Sequence, residues 1–184
     1  MSAPPAIRVF TFKEGLLSRI AHDLQLSLGD FALELSAGGV KGSCQMDTLR
    51  VQGAVVRGRL DPSVLSAGDQ SKIERSMREE VLRTGRFPTA RLEARLSDLG
   101  QGRFRVAGEL ELAGRSAGLE ADLHAGERIT GRFALQPSRW GIKPFRALGG
   151  ALKIQDRVEV EVDLPADVEG FDAEHPLEAS ARWP

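Results

Sequence analysis

Almost continuous alternation of apolar and charged side chains between Gly102 and Leu164 constrains this chain more than any other feature. Phe104, Val106, Gly108, Leu110 and Leu112 form one series, and Arg103, Arg105, Glu109 and Glu111 lie between them. Successive side chains of a strand point to opposite faces, so such a segment has one dry face and one wet face. The pattern returns in Leu119, Ala121 and Leu123 against Glu120, Asp122 and His124, and again in Val158, Val160 and Val162 against Glu159, Glu161 and Asp163. One-faced strands in series predict an antiparallel sheet. With few helical stretches to cover it, the sheet must cover its own dry face by curling into a barrel or folding into a sandwich. The expected fold class is therefore all-β and mainly antiparallel, with function inside the curl or at its mouth.

The rest of the chain fits around that sheet. Ile7 to Phe12 is rich in strand formers, and Leu16, Leu17 and Ile20 predict a short helix over 14–21. Leu24, Leu26 and Leu28, then Phe31, Leu33 and Leu35 beyond Gly29 and Asp30, read as two tightly joined strands, and Gly38 with Gly39 marks a turn. Leu49, Val51, Gly53 and Val55 share a face. A longer helix follows: Ser71 with Glu74 reads as a capping box, Ile73, Met77 and Val81 recur at helical spacing, and Gly85 with Pro88 supplies the stop. Beyond Pro88 the period of two resumes with Ala90, Leu92, Ala94 and Leu96, and only the segment from Trp140 to Gly150 interrupts it. The expected organisation is one barrel domain over 1–164 and an acidic C-terminal tail over 165–184, loosely attached unless Phe171 and Trp183 dock it.

Composition narrows the partners. Aromatic residues are 5% of the chain and tyrosine is absent, which leaves little for base stacking. Lys plus Arg number 25 against 26 Asp plus Glu, so there is no basic footprint for nucleic acid. Cys44 is the single cysteine and cannot form an intrachain disulfide, and His22, His124 and His175 share no metal-ligand spacing. No metal and no cofactor are expected. Met1 to Arg8 holds two prolines and no apolar run, so it reads as neither a signal peptide nor a membrane span. On that reading the protein is cytoplasmic, or periplasmic if the chain is a mature fragment.

Several strings resemble the YceI-like family. Glu14-Gly15-Leu16-Leu17-Ser18-Arg19-Ile20-Ala21-His22-Asp23-Leu24, followed by Gly29-Asp30-Phe31, is similar to the opening of those proteins. The helix with Met77, Val81 and Leu82, closed by Gly85-Arg86-Phe87-Pro88, resembles the family's helix and its aromatic-proline step into the next strand. Val106-Ala107-Gly108-Glu109-Leu110-Glu111-Leu112-Ala113-Gly114-Arg115-Ser116 is similar to its hairpin, with Ser116 where threonine is more usual. Ser138-Arg139-Trp140-Gly141-Ile142 resembles its segment ending in Gly-Ile. The resemblance implies a single lipocalin-like barrel of about eight strands, with one longer and one short helix. It also implies an interior that holds an amphiphile, typically a long isoprenoid or acyl chain, without chemistry; the acidic tail has no counterpart in the family pattern.

Candidate site residues follow from strand phase. Leu92, Ala94, Phe104, Val106, Gly108, Leu110, Leu112, Phe133 and Leu135 fall on the dry face and are the expected cavity wall, with small residues leaving volume that larger ones would fill. Arg139 and Arg146 stand near the irregular connection, where a guanidinium fork suits a phosphorylated head group. The expected partner is a hydrophobic small molecule or lipid, with no nucleic acid and no transmembrane segment, and a homodimer is the protein partner considered. Two alternatives stay open: a ligandless interaction module, and a small-ester hydrolase using Ser18 and His22, four apart on a helix, with Asp23 beside them.

Overall fold

The computed structural model describes residues 3–14 and 22–184, and the segments of hydrophobic alternation within them are strands. In chain order these are β1 (Ala6–Glu14), β2 (Asp23–Leu28), β3 (Phe31–Ser36), β4 (Gly39–Gln45), β5 (Leu49–Val56) and β6 (Arg59–Asp61). The helix α1 (Ala67–Ser76) follows, and then β7 (Thr89–Gly100), β8 (Arg103–Leu112), β9 (Arg115–Ala125) and β10 (Arg128–Leu135). Short β11 (Arg146–Ala147), long β12 (Leu152–Pro165) and β13 (Ser180–Trp183) complete the set. All belong to one antiparallel sheet whose hydrogen-bonded order is β13-β3-β4-β7-β8-β9-β10-β12-β1-β2-β5-β6, with β11 beside β12.

This path has two ends, so the expected closed barrel of about eight strands gives way to an open sheet of 13. Its end strands are β13 and β6, and the chain crosses from one half of the ladder to the other at the link between β2 and β3. Only Gly29 and Asp30 separate them, yet β2 pairs with β1 and β5 while β3 pairs with β4 and β13. Polar contacts bridge the seam: the Gln45 N–H donates to the Asp30 carbonyl at 2.9 Å, and the Asp30 N–H to Thr48 Oγ1 at 3.0 Å. Side chains bridge it as well, because Phe31 and Leu35 of β3 share a core cluster with Ile7 of β1 and Leu28 of β2. Strand twist has brought the two halves of the sheet face to face without a continuous ladder between them.

Where glycine and turn signals are strong, the chain turns as its sequence implies. Ala37 (φ 47°) with Gly38 (φ 74°), and Ala113 (φ 51°) with Gly114 (φ 75°), give two-residue hairpins with both central residues left-handed, the twist that joins antiparallel strands.

The helix is real, but its caps are shifted. Ser66 is the N-cap: its Oγ accepts from the Asp69 N–H at 3.1 Å and donates to the Asp69 carboxylate at 2.7 Å. Ser71 lies inside the helix, and Glu74 reaches sideways to accept the Val51 N–H at 2.9 Å, tying α1 to β5. A π turn over Met77–Val81 widens the last turn. Arg83, at φ 52°, makes the left-handed stop two residues before Gly85. The expected short helix at 14–21 lies outside the described residues, except that Glu14 is the last residue of β1.

The C-terminal segment is not loosely attached. β13 pairs with β3, Trp183 is 3% exposed, and its Nε1 donates to the Pro165 carbonyl at 2.9 Å. Phe171 meets the Trp183 ring edge-on at 5.7 Å between centroids. No helix among the described residues is long and apolar enough to cross a membrane.

Candidate ligand cavity

The two halves of the sheet enclose a cavity of about 370 Å³, within the ~300–1,000 Å³ range of small-molecule sites. Its wall draws on nearly every strand, because the residues that alternate inward on each strand all face the same space. Val158, Val160 and Val162 show the cause: they point inward yet are only half-buried, and the space they face is this cavity.

Different elements line the two ends. At one end stand Met77, Val81 and Leu82 of the π turn and its exit, with Trp140 beside them. Trp140 is 1% exposed and its Nε1 donates to the Leu110 carbonyl at 2.6 Å, which fixes the indole across the end of β8. Asp156 holds the turn that carries it, accepting from the Ser138 N–H at 2.9 Å, the Ser138 hydroxyl at 2.5 Å and the Gln136 side-chain amide at 3.0 Å. Burial alone would raise the Asp156 pKa, but the Ser138 and Gln136 hydrogen bonds outweigh it and hold the carboxyl below its usual range. At the other end Phe171, Pro176 and Trp183 reach the same cavity.

Of the wall residues expected from strand phase, Leu92, Phe104, Val106, Leu110, Leu112, Phe133 and Leu135 line the cavity. Ala94 and Gly108 do not. They face each other across β7 and β8, and a Cβ built on Gly108 would lie 2.1 Å from the Glu93 carbonyl oxygen and 2.4 Å from the Ala94 Cα. Gly108 thus serves a close approach of two strands rather than an inner void. The sequence reading missed Thr11, Trp140 and Trp183 as wall residues, together with the helix face at Met77 and Val81. That face was legible as apolar; its position over the end of a cavity was not.

The remaining candidates are dispersed. The Arg139 guanidinium lies over the Trp140 ring at 5.5 Å, Arg146 is exposed on β11, and neither lines the cavity. Ser18 lies outside the described residues, while Asp23 accepts the Lys13 N–H at 2.8 Å and so ties the start of β2 to β1. Cys44 sits in the wall, where burial, and to a lesser degree the Asp30 charge, push its thiol up to about 11 against a hydrogen bond with the Ala90 backbone; it is a neutral thiol at physiological pH.

Fold and cavity together define a class: a mostly antiparallel β protein with one short helix and an apolar interior. The YceI-like domain pattern matches residues 20–166, and the chain belongs to that family. Among solved structures, Burkholderia cenocepacia BcnA is similar with a TM-score of 0.60 at 10% identity, over 86% of this chain and 94% of that one. A polyisoprenoid binding domain from Saccharophagus degradans is similar with a TM-score of 0.55 at 11% identity, over 86% and 91%. A mutant of the Campylobacter jejuni YceI protein gives 0.51 at 10% identity, over 75% and 83%. At these identities the likeness is one of fold. No curated protein sequence matches the chain.

Proposed function

We propose that the protein binds one long-chain amphiphile, isoprenoid-like or fatty-acyl, in its interior and sequesters or carries it without chemical change. The observation that carries this reading is the cavity: a space of about 370 Å³ walled mainly by inward-facing apolar side chains, Trp140 and Trp183 among them. Each methylene moved from water into such a space contributes about 0.8 kcal/mol, so an apolar chain needs no specific contact to be held. Family membership and the likeness to a polyisoprenoid binding domain support the same class of ligand.

A filling substitution tests it. Val160→Phe places a ring in the cavity from an inward position, whereas Glu159→Gln changes the outer face one residue away. In a fluorescent-lipid titration Val160→Phe is expected to weaken binding at least tenfold and Glu159→Gln less than twofold. Equal effects from both would place the lipid outside the cavity.

A further inference from the structure

We propose that the ligand carries an uncharged oxygen atom which the Thr11 hydroxyl holds near the Trp140 end, with the apolar chain running toward Trp183. This rests on the reading of the cavity as an amphiphile site and specifies which amphiphile.

Ile7, Val9 and Thr11 alternate inward along β1, and all three line the cavity. Thr11 stands opposite Leu24 on one side and Val158 on the other, and Val158 stands opposite Leu135. That row of the sheet adjoins the core cluster in which Leu135 packs on Trp140. Thr11 Oγ1 is buried and has no hydrogen-bond partner. Buried hydroxyls almost always have one, since an unmade hydrogen bond leaves the desolvation cost uncompensated. Valine has the same branched shape and would fill this position without that cost. The oxygen is sunk in the wall. Rotation about χ1 exchanges the hydroxyl and methyl groups and presents the donor to whatever fills the cavity.

The rest of the described wall is mostly apolar. Glu34, Ser43 and Arg91 also border the cavity, but they occupy outward positions on β3, β4 and β7 and their side chains are exposed. Lys13, two residues along β1, is half-buried but does not line the cavity, and the one cationic side chain among the described lining residues, Arg91, is exposed, so a phosphate or carboxylate beside Thr11 would stand in mostly apolar surroundings. A neutral acceptor, such as the oxygen of an alcohol, ketone or ester, matches one hydroxyl donor.

The test is competition against bound retinol, followed by its fluorescence, with three ligands of one chain: geranylgeraniol, the corresponding hydrocarbon without oxygen, and geranylgeranyl diphosphate. The protein is expected to prefer the alcohol to the hydrocarbon. Thr11→Val should remove that preference, weakening the alcohol about three- to tenfold, the range of one net hydrogen bond, while leaving the hydrocarbon unchanged. Thr11→Ser should retain it. If Thr11→Val weakens alcohol and hydrocarbon equally or changes neither, or if the diphosphate outcompetes the alcohol, the Thr11 assignment is overturned and amphiphile binding stands. If neither retinol nor any of the three binds, the amphiphile reading fails and the assignment with it.

Discussion

Gly108 shows how a correct strand phase can still mislead about a single residue. Alternation with Val106 and Leu110 places it on the dry face, and its small size suggests free volume beside it. The volume is instead taken by β7, with the Glu93 carbonyl oxygen 2.1 Å and the Ala94 Cα 2.4 Å from where a Cβ would stand, well inside van der Waals contact. A leucine there cannot reach the cavity without moving β7 from β8. Gly108→Leu is therefore expected to destabilise the fold by about 1–3 kcal/mol, as overpacking does. Urea unfolding checks this: an unchanged midpoint together with lost lipid binding would return Gly108 to the cavity wall. Phase alone could not distinguish the two cases, because it states which face a residue is on and not how far away the neighbouring strand lies. Thr11 was missed for the complementary reason, since a lone threonine on an apolar face looks like any strand residue until its hydroxyl is seen to lack a partner.

Among the elements, the hairpins were legible because glycines stand between alternating runs, although the first turn falls on Ala37-Gly38 and not on Gly38-Gly39. Helix caps were less so: Ser71 and Glu74 have the spacing of a capping box, but Ser66 and Asp69 also have serine-to-acid spacing and take the role earlier, which frees Glu74 to bind β5. The turn carrying Trp140 depends on a group that sequence spacing could not pair with it, because Asp156 lies on the following long strand. Its pH dependence follows. The folded-state pKa of Asp156 is held below the unfolded value, so its contribution is complete above that unfolded value, near pH 4, and is lost as pH falls through the folded one. In a Trp183→Phe background, which leaves Trp140 as the one tryptophan, acidification below about pH 4 should shift its emission to longer wavelength as the turn loosens. Asp156→Asn should remove that acid step, and an identical transition in the Asn variant would assign it to another carboxyl.

For the whole molecule, a one-faced antiparallel sheet was readable from the chain alone, and its connectivity was not. Two strands separated by Gly29-Asp30 look like a hairpin, yet β2 and β3 do not pair and lie in opposite halves of the ladder, whose end strands are β6 and β13. Nothing local tells a tight link that pairs its strands from one that parts them. The C-terminal segment lacks any period because only Ser180–Trp183 is strand and its anchors, Phe171 and Trp183, are far apart in sequence. With that segment in place Phe171 and Trp183 complete a mostly apolar wall, and the central claim is that this space is occupied when the protein is at work. Native mass spectrometry of the purified full chain, followed by organic extraction, tests it most directly. The account predicts a discrete hydrophobic adduct at one molecule per chain, extractable as a neutral oxygen-bearing lipid and reduced in Val160→Phe. A bare mass that persists after incubation with long-chain lipids would contradict it.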